Sequence, residues 1–378
     1  MPPPSRPALS LLRELVACPS VHPEGDAGGA VAGEASAAGW LAPYLRGLGA
    51  DVTMPLLAAG RPMVVAVFEP LGKPTATVVL APHLDTVGVA GMTVPPFQLT
   101  RRNGRLYGRG ACDTKGPMAA LLWAFGQWIR RSARNRGRVR WVLAATAGEE
   151  QGSLGAQALV RAGFSADFAV ALEPTDLRVV SAAKGVLRVW VETKGKAAHG
   201  SRPERGINAI QLLLPFAQAV EIELAPTLAA RVHPVLGRAT VNLGVIQGGG
   251  ELNIVPEQCR LGLDLRTHPG CTEAGVLKLL GDLRRRHAPE ARLILQRRAP
   301  AFVTDRRNPW AASLRRHARG WDHADWFCDA NVFAAHGIPA VAFGPGNIAQ
   351  AHTKDEYITE EALAAGGRAF LGFLTGSA

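Results

Sequence analysis

The chain has 378 residues, more than one hydrophobic core usually organises, so two domains are expected; 47% are hydrophobic and 19% charged, a balance that excludes a disordered polypeptide. Five cysteines, odd in number and without a CxxC pair, exclude a disulfide framework and a thiolate zinc site, and point to a reducing compartment. The net charge of +11, in which arginine far outnumbers lysine, raises nucleic-acid binding as an alternative that the motifs must answer.

From the N-terminus, Ala8 to Ala17 reads as an amphipathic helix with Leu9, Leu12, Leu15 and Val16 inward; Arg13 and Glu14 interrupt the apolar run a signal peptide would need. Gly25, Gly28, Gly29 and Gly33 mark a loop, and a helix follows from Glu34 to Leu48. Strands are predicted over 63–68 and 77–81. A helix over 117–129 has Met118, Leu121, Leu122, Phe125 and Ile129 at helical spacing. Strand 139–146, helix 153–162 and strand 168–172 continue the alternation. This order predicts an α/β fold, with a mixed, largely parallel sheet flanked by helices.

Near Lys184 the pattern changes. Strand 186–191, helix 208–224, strands 239–246 and 259–265, helix 273–287 and strand 293–296 follow the β-α-β-β-α-β order of a ferredoxin-like α+β unit. It fits a domain inserted at 184–297 into a first domain made of 1–183 and 298–378, which ends in strand 340–343 and helix 360–374. No stretch approaches the ~18 uninterrupted apolar residues of a membrane-spanning helix. The densest basic run, Arg130 to Arg138, has no interleaved aromatics and reads as a solvated connection. A small-molecule enzyme of the cytoplasm, with neither nucleic-acid nor membrane partner, is expected; its positive field can steer anionic substrates.

The informative residues are His83, Asp113, Glu150, Glu173 and His352, most of them where an apolar run gives way to a turn. Sites of open α/β sheets form at the carboxyl ends of strands, and donors of this type at several strand ends are what a metal centre requires. Oxygen and nitrogen donors without cysteine suit a borderline divalent ion, zinc above all. Asp85, two residues beyond His83 in an extended segment, is placed to accept that ring's second N–H. A lone H-x-D would equally be a histidine at a strand end. The glycines around Asp113 make neither a phosphate loop nor a dinucleotide fingerprint, so Leu106 to Gly116 reads as a tight loop presenting Asp113 at a helix start. Adjacent Glu149 and Glu150 repel unless a cation or proton relieves them, and one can bind metal while the other stays free as a base; a solvated helix start is the plain alternative. Asp329 is open between a helix N-cap and an acid near the site.

Taken together, PHLDTV, GRGACDTKG, TAGEEQGSLGA, LEPTD and GPGNIAQAHTKDEY resemble, in order and over nearly the whole chain, the M20 metallopeptidase/deacylase family, in its acetylornithine deacetylase and succinyl-diaminopimelate desuccinylase branch. The resemblance implies a zinc-exopeptidase-like catalytic domain with an inserted lid and dimerisation domain, and a homodimer formed through that insert. It implies two divalent ions, zinc first with cobalt or manganese possible. One is held by His83, Asp113 and Glu173, the other by Asp113, Glu150 and His352, with a cis peptide at Asp113–Thr114. Glu149 would be the base on a water between the ions. His199, in Gly195 to Ser201, resembles a lid histidine that helps hold the oxyanion. Asn253 and Arg266 resemble lid residues that bind the substrate α-carboxylate, and Gly344 and Gly346 would let backbone approach the substrate. Pro82 departs from the family's usual glycine. The implied reaction is removal of the acyl group from an N-acyl L-amino acid, N-acetyl-L-ornithine first, as in arginine biosynthesis. The alternatives are N-succinyl-diaminopimelate, acetylcitrulline or acetyl-lysine, dipeptidase or carboxypeptidase activity, and a catalytically silent binding relative.

Overall fold

The computed structural model describes residues 7–25, 33–131 and 137–376. Gly28 and Gly29 of the predicted loop, and 132–136 of the basic run, lie outside them. The chain forms two compact units: the first contains residues up to Ser181, Thr304–Asp322 and residues from Cys328; the second contains Ala182–Val303 and His323–Phe327. The insert therefore reaches beyond the expected 184–297. The later segment joins it because Lys184 N donates to Ala324 O at 2.9 Å and Lys184 Nζ pairs with Asp325 Oδ1 at 2.8 Å.

In the first unit a sheet runs in the order Asp51–Thr53, Val64–Phe68, Val139–Ala145, Ala76–Ala81, Phe168–Ala171, Ala340–Ala342, and then Arg178–Ala183 at Val180. The four strands from Val139–Ala145 to Ala340–Ala342 are parallel, while the flanking strands are antiparallel. Those four are buried along nearly their whole length, so they read as continuous apolar runs, as a sheet with both faces covered demands. Helices Ala8–Val16, Lys115–Arg131 and Glu360–Gly376 pack on one another, and Phe68 stacks on Phe125 at 4.5 Å between ring centroids. The central helix starts at Lys115, earlier than its apolar spacing indicated; Pro117 falls in the first turn, where a missing N–H costs nothing. A three-stranded sheet of Thr100–Arg102, Arg105–Tyr107 and Tyr357–Thr359 was not predicted, because strands this short carry no readable periodicity.

In the second unit, an antiparallel sheet runs in the order Thr240–Gly248, Gln258–Thr267, Gly185–Lys194, Arg292–Ala299. Helices Ala209–Ala219 and Glu273–His287 bury Leu213, Phe216, Val276 and Leu280 against Leu187, Val189, Leu261 and Leu263. The first helix continues through a π turn as Ala209–Ala229, which has 21 residues and by length and composition alone is apolar enough to cross a membrane. Polar residues within it break the uninterrupted run that was sought. Here Leu213, Phe216, Val220, Leu224 and Leu228 belong to this unit's core.

Candidate metal centre

Five segments of the first unit bring acids and histidines to the carboxyl ends of its parallel strands. His83 follows Ala76–Ala81 and stays paired to the neighbouring strand end: Thr146 N donates to Pro82 O at 2.9 Å and Leu84 N to Thr146 O at 2.7 Å. Asp113 precedes helix Lys115–Arg131, and the Asp113–Thr114 peptide is cis. Glu149 and Glu150 follow Val139–Ala145, Glu173 follows Phe168–Ala171, and His352 follows Ala340–Ala342 with a left-handed φ of +63°. That backbone costs about 1 kcal/mol for a residue with a Cβ, and such strain clusters at functional sites.

The side chains form two groups that share one residue. His83, Asp113 and Glu173 have donor atoms within 4.8 Å of one another, and so do Asp113, Glu150 and His352. His83 Nε2 lies 3.0 Å from Asp113 Oδ1, while His352 Nε2 lies 3.3 Å from Asp113 Oδ2 and 3.0 Å from Glu150 Oε1. Asp113 thus turns one oxygen to each histidine. Ligands about 2.0–2.2 Å from one tetrahedral ion stand roughly 3.3 Å apart, so these separations fit a divalent ion in each group.

The charge balance calls for cations. Asp85, Asp113, Glu149 and Glu173 are buried, with Asp329 buried as well, against two histidines. Burial, with Glu150, Asp329 and Asp85 nearby, pushes Glu149 well above the usual carboxylate range; burial beside Asp113 and Glu149 does the same to Glu173. Burial alone would lower His83, but its hydrogen bond to Asp113 and that charge raise it well above its ordinary value. Hydrogen bonds to Asp113 and Glu150 raise His352 to about 10. Carboxylates crowded in this way must take up protons or cations, and two divalent ions satisfy the donor set.

Neighbouring residues hold this arrangement. His83 Nδ1 lies 2.9 Å from the main-chain carbonyl of Asp85 and 3.8 Å from its carboxylate. The carbonyl, and not the expected carboxylate, therefore takes the ring N–H, leaving Nε2 as the lone-pair donor. The Asp85 carboxylate accepts from Glu149 N and Glu150 N instead, because those amides close the turn above it. Glu34 Oε1 accepts from Gly148 N at 3.1 Å and is paired with Arg61 at 2.5 Å. Asp329 begins helix Asp329–Ala335 and its Oδ2 accepts from Thr146 Oγ1 at 2.6 Å, which ties it to the strand end beside His83. Glu356 collects Arg109 and three backbone amides of the Asp113 loop. Glu34, Arg61, Arg109 and Glu356 were not singled out from the sequence. Arg109 and Glu356 stand within two of the quoted motifs, but a charged residue in a polar loop is common and nothing local says what it pairs with; Glu34 and Arg61 lie outside the motifs altogether.

Gly344 lies against the Glu173 loop: a Cβ there would come 2.7 Å from Glu173 O. Gly346, at φ +96°, has a carbonyl that accepts from Asp176 N at 2.6 Å. Both glycines hold the Glu173 turn. His199, Asn253 and Arg266 belong to the second unit. His199 and Asn253 lie together there, Gly200 N donating to Asn253 O at 2.7 Å, and both are exposed. His199 Nδ1 accepts from Ser201 N at 3.1 Å, which puts the ring proton on Nε2 as an exposed donor. Arg266 Nε donates to Asp264 Oδ1 at 2.7 Å, and Asp264 also accepts from Arg188 at 2.8 Å.

A family model described as peptidase family M20/M25/M40 matches residues 79–376. An acetylornithine deacetylase from Myxococcus xanthus is 34% identical over 321 residues, covering 79% of this chain and 80% of that protein. A probable succinyl-diaminopimelate desuccinylase from Staphylococcus epidermidis is 29% identical over 332 residues, covering 77% and 81%. Among solved structures, an M20 metallo-carboxypeptidase from Sulfolobus solfataricus gives a TM-score of 0.82 at 18% identity over 98% of each chain. A dinuclear metal-binding M20 peptidase from Bacillus subtilis gives 0.70 at 15% identity, covering 98% of this chain and 97% of that one. These two establish likeness of fold.

Proposed function

The chain belongs to peptidase family M20/M25/M40, whose members are metal-dependent hydrolases of amide bonds, and we propose that it removes the acyl group from an N-acyl L-amino acid, with N-acetyl-L-ornithine as first substrate. The observation that carries this reading is the pair of donor groups sharing Asp113, with Glu149 buried beside Glu150. The 34% identical acetylornithine deacetylase supports the choice of acyl amino acid. Arginine biosynthesis would be its setting and the cytoplasm its place.

In this reading His83, Asp113 and Glu173 hold one divalent ion and Asp113, Glu150 and His352 the other, zinc first with cobalt or manganese as alternatives. When bound, the ions supply Lewis acidity for water and for the amide carbonyl. Glu149 takes a proton from the attacking water as its oxygen bonds to the carbonyl carbon, and passes that proton to the nitrogen as the C–N bond breaks. Asp85 fixes the Glu149 and Glu150 backbone from below. His199 Nε2–H serves as an oxyanion donor, and Asn253 and Arg266 bind the substrate α-carboxylate. Gly344 and Gly346 keep the backbone at the site uncrowded. A homodimer formed through the inserted unit completes the proposal, with neither nucleic acid nor membrane as partner.

The second reading, desuccinylation of N-succinyl-diaminopimelate, rests on the 29% identical relative. The experiment is amine release from N-acetyl-L-ornithine, N-acetyl-L-citrulline, N-succinyl-diaminopimelate and a dipeptide, each with a chelated control. A metal-dependent preference for acetylornithine of about tenfold or more, ~1.4 kcal/mol in transition-state binding, supports the first reading. Preference for the succinyl substrate selects the second, and silence across the panel with two ions bound overturns both.

A further inference from the structure

One buried carboxylate that the proposed reaction does not use joins two of the ligand-bearing segments. Glu356 is 1% exposed and its partner Arg109 3% exposed. Glu356 Oε2 accepts from Arg109 Nη1 at 2.8 Å and Gly110 N at 2.9 Å; Oε1 accepts from Cys112 N at 2.8 Å and Asp113 N at 2.9 Å. Four donors thus converge on two oxygens. The carboxylate reaches the loop because Tyr357 pairs with Tyr107 in the small three-stranded sheet, and Gly108 N donates to Glu356 O at 3.2 Å. Arg109 completes the link, donating to Thr353 O at 3.3 Å and to Gly88 O at 3.1 Å.

The consequence falls on Asp113. Its carboxylate faces both histidines, while its own amide is fixed by Glu356, a residue 243 positions away in the sequence. Glu356 lies on the same short segment as His352. Resting on the metal reading given under Proposed function, we propose that Glu356 is a positioning residue. It locks the Asp113 loop to the His352 segment and so sets the separation of Asp113 from the second histidine. Partners that orient ligands in this way are worth about 10- to 100-fold in metal affinity when removed. Among the described residues the Gly110, Cys112 and Asp113 amides have Glu356 as their acceptor, so a neutral amide at 356 leaves two of the four donors facing an NH2 group.

The test is cobalt(II) binding to the metal-depleted full chain, followed by calorimetry and by the visible spectrum of the bound ion. Wild type is compared with Glu356→Gln and with Glu360→Gln, the latter removing a surface ion pair to Arg101 from the neighbouring helix start. Glu356→Gln is expected to bind cobalt about 10- to 100-fold more weakly with an altered spectrum, and to lose kcat while KM stays within about threefold. Glu360→Gln should match wild type. A purely structural role would lower the melting temperature and leave affinity and spectrum per folded molecule intact, which would overturn the proposal. If Glu356→Gln does not fold by circular dichroism, Arg109→Lys carries the test; it should weaken cobalt binding in the same direction, and unchanged affinity there overturns it. Wild type that binds no cobalt would sink the metal reading itself, and this inference with it.

Discussion

Asp85 holds Glu149 by its backbone: Asp85 Oδ1 accepts the Glu149 N–H at 3.0 Å, while its other oxygen accepts that of Glu150, also at 3.0 Å. One buried carboxylate therefore sets the orientation of the proposed base and of the proposed ligand beside it. Adjacent residues need separate anchoring if one is to point at a metal and the other at a water, and two amides tied to one rigid carboxylate provide it.

Asp85→Asn tests that role. The substitution leaves one acceptor for two amides and turns an NH2 group toward the other. A loss of about 1–3 kcal/mol in stability is expected from the unsatisfied buried donor. A fall of about 10- to 100-fold in kcat is expected from the loosened turn. Urea unfolding and steady-state kinetics read the two effects; an unchanged kcat would separate Asp85 from the chemistry.

For Glu149 the expected pattern is different. Glu149→Gln removes the proton acceptor and leaves the proposed ligands in place, so kcat should fall by about 10²- to 10⁴-fold with metal content unchanged. Elemental analysis of the purified variant beside its turnover measures both. Near-normal turnover with two ions bound would remove Glu149 from the base role.

Stripping the metal should abolish hydrolysis, and adding back zinc, cobalt or manganese should restore it. Folding should respond too, because buried carboxylates that lack counter-charge gain it from the ion. Free metal at about 100 times its dissociation constant adds roughly 2.7 kcal/mol to a fold that alone binds it, visible as a higher melting temperature. A melting curve indifferent to all three ions would argue against both donor groups as metal sites.

Arg266 offers a test in the second unit. Its guanidinium is held by Asp264, which Arg188 also contacts, so two arginines share one acid and the cluster carries net positive charge. Arg266→Ala should lower kcat/KM about 10- to 100-fold for a substrate with a free α-carboxylate, since hydrogen bonds to charged groups contribute about 1.5–3 kcal/mol. The α-amide analogue should be affected far less. Equal losses on both compounds would rule out carboxylate recognition.

Much of the architecture was legible in the residue order. The parallel strands of the first unit are buried on both faces, so Val139–Ala145 and Phe168–Ala171 announce themselves as apolar runs. The sheet of the second unit has one covered face, and Gln258–Thr267 shows the matching alternation. The small sheet that carries Tyr357 was not legible, since its stability comes from pairing with Arg105–Tyr107 and not from any local pattern.

The sequence by itself determined which residue types stand at the strand ends: His83, Asp113, Glu150, Glu173 and His352 follow apolar runs or glycine turns whose local propensities place them. Only the tertiary structure decided which groups hold them. It gave the Asp85 carboxylate to two amides and its carbonyl to His83, and it brought Glu356 to the Asp113 loop. The reason is that propensity acts over a few neighbouring residues. A hydrogen-bond partner across the sheet is chosen by distance and direction, which exist only once the chain has folded.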